Sequence, residues 1–165
     1  MCAMQTYKIG DCGPARGIVF YDKKDNKDGW RYMEAAPNNL QNAEWGLDGE
    51  NLVGTNIKIG FGKQNTELII KALDLRGESG TAVQLCKEYT LNGYNDWFLP
   101  SKNELLKLYK NLKENNLGNF TSDWFWYWSS SQKDSDYACL HRFSDGVQYA
   151  CGKNFTGSVR AVRVF

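Results

Sequence analysis

The chain has 165 residues, room for one domain of ordinary size and tight for two. Its 20 Lys plus Arg against 19 Asp plus Glu leave a formal charge of +1, which argues against a broad nucleic-acid footprint and against an acidic disordered chain. Hydrophobic residues at 42%, with six Trp, nine Tyr and eight Phe among them, suffice for one packed core, and no apolar run approaches the roughly 20 residues that span a bilayer.

The opening MCAMQTYKIGD lacks the apolar stretch of a leader peptide, and Cys2 reads better as a remnant of expression cloning than as a lipidated cysteine. The first expected strand is Gly17–Tyr21 (GIVFY), closed by the charged turn Lys23–Asp28. Trp30–Ala35 alternates in polarity and reads as its hairpin partner. Residues 37–62 are rich in Asn and Gly and read as loop.

Three helices are expected next. Asn65 or Thr66 opens the first, with Leu68, Ile69, Ala72 and Leu73 on one face. The second runs from about Thr81 to Tyr89, with Ala82, Val83, Leu85, Cys86 and Tyr89 as its stripe. In the third, Ser101 and Glu104 form a capping box, and Leu105, Leu106, Leu108, Tyr109 and Leu112 make the buried stripe. Asn115, Asn116 and Gly118 offer its stop. From Trp124 the period becomes two. Trp124–Ser129 is an aromatic strand, Tyr137–Phe143 and Val147–Cys151 flank the turn Ser144-Asp145-Gly146, and Ser158–Phe165 is a final strand. Strands, then helices, then strands give an α+β fold in a single domain over 1–165.

His141 is the only histidine, and its neighbours name no partner for general-base chemistry. The five cysteines lack a C-x-x-C spacing, so neither a zinc site nor a dense disulfide framework is expected. Cys139 and Cys151 face each other if a three-residue loop pairs 143 with 147, and lie on opposite faces if a two-residue loop pairs 144 with 147. Free thiols are the expected state. One face of the Trp124–Trp128 run reads as core. The other is either core or a stacking platform for a sugar or peptide, and Trp126 and Tyr127 are the candidate platform residues. Arg160 and Arg163 differ in parity, and each needs a carboxylate or backbone carbonyls if buried. Asp22, Asp25 and Asp28 lack the Gly and distal Glu of a calcium loop and read as a solvated turn. No cofactor is expected, and a calcium ion in some other loop stays open. No catalytic motif is present, so the chain reads as a non-enzyme.

Several strings carry a resemblance in their order: YKIGDCGPARGIVFYD at Tyr7–Asp22, GWRYMEAAP at Gly29–Pro37, AEWG at Ala43–Gly46 and LNGYNDWFLPSKNEL at Leu91–Leu105. YWSSS at Tyr127–Ser131, FSDG at Phe143–Gly146 and VRAVRVF at Val159–Phe165 complete the set. Together they resemble the Lcl C-terminal domain family, also called domain of unknown function 1566, over almost the whole chain. The resemblance implies a C-type-lectin-like fold with short twisted antiparallel strands and about three helices. It also implies a bacterial cell-surface or secreted protein, with relatives among collagen-like adhesins that bind sulfated glycans.

Some proteins of this family are variable proteins of diversity-generating retroelements, in which a C-terminal segment is rewritten at adenines. Here Phe143, Ser144, Asp145, Gly146, Gln148, Lys153, Asn154 and Thr156 match the fixed pattern. Between them lie Asp136, Tyr137, Cys139, Leu140, His141, Arg142, Val147, Tyr149, Ala150, Cys151, Gly152, Phe155 and Gly157. Each of these can be reached from an Asn codon by changing its two adenines. The resemblance therefore implies a diversified surface that binds a protein or a cell-surface glycan. Its rivals are a fixed glycan-binding adhesin domain and, by analogy of fold, a formylglycine-generating-like enzyme. The twelve-residue spacing of Cys139 and Cys151 does not suit the cysteine pair of that enzyme.

Overall fold

The computed structural model describes residues 5–120 and 125–165, so Cys2 and the expected strand start at Trp124 lie outside the described residues. Three strands, β1 (Ile18–Asp22), β2 (Tyr32–Ala35) and β6 (Val162–Val164), form one antiparallel sheet in the order β1-β2-β6. The other three, β3 (Trp126–Gln132), β4 (Tyr137–Arg142) and β5 (Gln148–Gly152), form a second antiparallel sheet in the order β3-β4-β5. Between them in sequence come the helices α1 (Gly62–Arg76), α2 (Ala82–Glu88) and α3 (Lys102–Asn111).

β2 is central and wholly buried, which places Glu34 opposite Arg163 inside the molecule. The pair closes at 2.6 Å, and Arg163 also donates to Asp96 at 2.7 and 2.9 Å. Glu34 accepts from Ala15 N and Gly17 N as well, so one carboxylate fixes the segment before β1. Arg160 is also buried but has no carboxylate partner among the described residues. It donates to the carbonyls of Ala36 and Gly118 and to Asn39 Oδ1, with its guanidinium 4.1 Å from the Phe120 ring. The two arginines thus use the two means of satisfying a buried guanidinium, one each.

α1 begins at Gly62, three residues before the earliest expected cap. Asn65 and Thr66 are cap-forming residue types, but both are buried and spend their polar atoms on tertiary bonds. Asn65 donates to Asn56 O at 2.7 Å and to Ser130 Oγ at 3.1 Å. Thr66 Oγ1 accepts from Leu99 N at 3.1 Å. The capping box of α3 forms as expected: Ser101 N donates to Glu104 Oε2 at 2.7 Å, and Glu104 N donates to Ser101 Oγ at 3.3 Å.

Residues 37–61 carry no helix or regular strand, yet they are pinned. Trp45 Nε1 donates to Ser129 O, Trp128 Nε1 to Ala43 O, and the buried Lys153 ammonium to Leu47 O, Glu50 O and Gln132 Oε1. Only Val162–Val164 of the expected final strand joins a sheet. Of its earlier residues, Ser158 bridges β3 through Trp126 O and Trp128 N, while Val159 O accepts from Leu40 N and Ala161 O from Ala36 N. One apolar cluster joins Trp45, Leu73, Val83, Trp97, Trp128 and Leu140. A second joins Phe20, Met33, Leu108, Tyr127, Phe143 and Val162.

Candidate functional site

The hairpin of β4 and β5 has neither expected register. Tyr137 pairs with Gly152, Cys139 with Ala150 and His141 with Gln148, and Arg142 N donates to Val147 O at 2.9 Å. A four-residue turn, Phe143 to Gly146, therefore closes the hairpin. The physical reason is Phe143. Its ring is fully buried among Tyr109, Phe120, Tyr127 and His141, and its N–H donates to Phe125 O at 3.0 Å. The backbone at 143 thus leaves the β4–β5 ladder. Gly146, at φ +80°, closes the turn against the Tyr109 ring, where a Cβ would come within 2.7 Å of a ring carbon. Cys139 and Cys151 lie on opposite faces, and both thiols are free.

Side chains alternate across the sheet. One face carries Trp126, Trp128, Ala138, Leu140, Arg142, Tyr149 and Cys151. It changes character along its length. Trp128, Ala138 and Leu140 are core, while Tyr149 is 63% exposed and the neighbouring Val147 42%. Trp126 is half-buried, its ring 6.0 Å from that of Tyr149, with the Arg142 guanidinium 5.0 Å above it. Arg142 is held there by both oxygens of Asp145. Phe155, 38% exposed, meets Trp128 edge-on at 6.2 Å. The result is an open aromatic strip on a rigid base.

The opposite face packs on α3. His141 is buried, 4.8 Å from the Tyr109 ring, with Nε2 2.9 Å from Gly146 O and Nδ1 without a partner. Burial lowers its pKa, so it is neutral at pH 7. A groove of about 700 Å³ opens beside it, lined by Lys102, Lys133, Tyr137, Cys139, Gln148, Tyr149 and Ala150. Lys102 comes from the first turn of α3 and Lys133 from the end of β3. Lys102 is far from the hairpin in sequence, whereas Lys133 directly follows β3 and donates its N–H to Tyr137 O at 2.9 Å; no spacing signal pointed to either, and only the β4–β5 register reveals their place.

Among the residues expected at the surface, Asp136, Tyr137, Val147, Tyr149 and Phe155 are exposed. Arg142, Ala150, Cys151 and Gly152 are half-buried. Cys139, Leu140, His141 and Gly157 are buried, and this corrects their expected place on a contact surface. Leu140 packs in the core, His141 lies under the turn, and Gly157 backs directly onto the Trp128 indole. Cys139 remains only as part of the groove lining. Of the expected platform, Trp126 remains partly accessible. Tyr127 does not, because its ring is fully buried and its hydroxyl meets the Asn39 amide at 2.8 Å.

No group of three His, Cys, Asp or Glu side chains among the described residues is placed to hold a metal ion. The aspartates of the Lys23–Asp28 turn are neutralised locally, Asp22 by Arg31 and Lys24 and Asp28 by Lys23. Burial pushes the Cys86 and Cys139 thiols up, away from the activated range. No helix among the described residues is long and apolar enough to cross a membrane.

Compared with known proteins, residues 23–163 match the family model of the Lcl C-terminal domain. A solved fimbrial protein from Bacteroides ovatus ATCC 8483 superposes with a TM-score of 0.63 at 14% identity, over 90% of this chain and 44% of that one. This chain therefore spans less than half of that protein, and at such identity the likeness speaks for the fold. No curated protein matches the sequence.

Proposed function

Because this chain belongs to the Lcl C-terminal domain family, we propose that it is a non-catalytic, adhesin-type binding domain of a surface or secreted protein. Its ligand surface is the outer strip of the second sheet. The observation that carries this reading is the exposure of Tyr149, Val147 and Phe155 beside Trp126, with Arg142 clamped over the indole by Asp145. Rigid aromatic rings bury much area on binding and lose few rotamers in doing so. A ring pair with a guanidinium suits the C–H face of a sugar or a protein side chain. The fold likeness to a fimbrial protein agrees with a surface role. A buried, neutral His141 and raised thiol pKa values favour binding over catalysis.

The finer reading is a diversified receptor of a retroelement, with a lectin-like fold. It is supported at the open positions Asp136, Tyr137, Val147, Tyr149 and Phe155, which can change without repacking the core. A nearby reverse transcriptase gene and a near-copy of the 3′ coding segment differing only at adenines are the expected finding at the genomic locus. Their absence makes the surface fixed.

The binding test is a glycan array and a bacterial-surface protein panel probed with the parent chain and with Tyr149→Ala. A ligand whose affinity falls about tenfold or more in Y149A meets the expectation. Unchanged binding in that variant overturns the assignment of this strip.

A further inference from the structure

β5 is an edge strand of the second sheet, paired among the described residues with β4 alone. In an antiparallel pair, hydrogen-bonded positions alternate with open ones. Arg142 N donates to Val147 O and Lys153 N to Asp136 O, so the odd-numbered residues of β5 point their backbone at β4. Gln148, Ala150 and Gly152 therefore point theirs away from it. Gly152 O accepts from Phe155 N, and no hydrogen bond among the described residues occupies the N–H or C=O of Gln148 or Ala150. The edge is also undefended. Its sequence, QYACG, has no Pro, no charge and no bulge, the usual devices that block strand addition.

The groove along this edge is electropositive. Lys102 and Lys133 line it, no acidic residue does, and neither ammonium has a carboxylate within ion-pairing distance among the described residues. Lys133 instead rests 5.6 Å from the Tyr137 ring. We propose that β5 is a docking edge for an extended acidic peptide segment of a partner protein, which adds as a further strand at Gln148 and Ala150. Alternate side chains of such a strand point to one face. Acidic residues at every second position then meet Lys102 and Lys133, while the other face carries the residues between them. A second copy of this chain fits worse, because pairing two β5 edges about Ala150 brings four lysines together with no acid between them.

The groove shares Tyr149 with the aromatic strip, but Ala150, Lys102 and Lys133 belong to the groove alone, so variants at these three leave the strip intact and the two readings fail separately. The probe is a short acetylated peptide of alternating valine and glutamate, followed by fluorescence anisotropy. Ala150→Pro removes one outward N–H and leaves the β4 ladder intact, as proline is tolerated on edge strands. Lys102→Glu together with Lys133→Glu reverses the groove, and an acid in the first turn of α3 suits the helix dipole. The expected result is saturable binding that weakens as salt rises from ~0.05 M to ~0.5 M. Each variant loses about tenfold in affinity, and the lysine version of the peptide does not bind. A melting curve for each variant confirms folding, and the lysine pair decides should Ala150→Pro unfold the chain. No binding of the acidic peptide, or equal binding by both folded variants, overturns the proposal. A concentration-dependent dimer that Ala150→Pro abolishes gives the edge to a second copy and overturns it too.

Discussion

The Glu104 carboxylate accepts hydrogen bonds from Ser101 N at 2.7 Å, Gly60 N at 2.8 Å and Gly62 N at 3.2 Å. It completes the capping box of its own helix and also caps the first turn of α1, whose N-cap residue Phe61 has no side chain able to do so. The group is fully buried, and desolvation outweighs these donors, pushing its pKa from 4.5 up to about 6. A carboxyl raised on folding binds its proton more tightly in the native state. Its contribution is complete below pH 4.5 and is lost as pH rises through about 6. The loss amounts to about 2 kcal/mol. Glu104→Gln removes the titration. Urea unfolding at pH 4 and pH 7 should show the parent losing about that much relative to the variant. Equal pH dependence in both proteins counts against a raised pKa.

At the scale of elements, Gly157 shows why the second sheet cannot vary everywhere. It bridges to Ala43 at the edge of the loop 37–61, and its α-carbon sits flat against Trp128. A Cβ there would lie 2.8 Å from Trp128 Nε1 and 3.2 Å from Trp126 O. The indole cannot swing away, because its N–H donates to Ala43 O at 3.0 Å. Gly157→Ala should therefore cost about 1–3 kcal/mol as overpacking, read as a lower denaturation midpoint with an unchanged slope. A substitution without cost would return Gly157 to the set of free surface positions. The three serines of β3 show a second kind of constraint. Ser129, Ser130 and Ser131 are all buried, and their hydroxyls bond to Cys139 O, Asn65 and Asn56 O. They fill a stretch where the register with β4 shifts and the ladder is broken.

Across the whole molecule, the helices and the central strands were legible in the sequence, because each rests on a local signal; the burial of Arg160 and Arg163 was not, only the partners they would need once buried. A capping box or an apolar stripe can be read within about ten residues. What was not legible depends on distance in the chain. The place of Phe143 in the aromatic cluster sets the hairpin register, and Lys102 reaches the β5 edge from another element. Alternation alone also misleads on β4 and β5, since one face passes from core at Leu140 to solvent at Tyr149 between paired residues. That passage separates stability from recognition. Leu140 is 2% exposed and packs with Trp128 and Trp97, so Leu140→Ala should cost about 2–5 kcal/mol through the cavity it leaves. Tyr149, its cross-strand partner, is 63% exposed, and Tyr149→Ala should change stability by less than about 0.5 kcal/mol. Denaturant unfolding of both variants checks the contrast. A large stability loss in Tyr149→Ala would make the aromatic strip part of the core, and the reduced ligand binding expected of that variant could then be put down to unfolding.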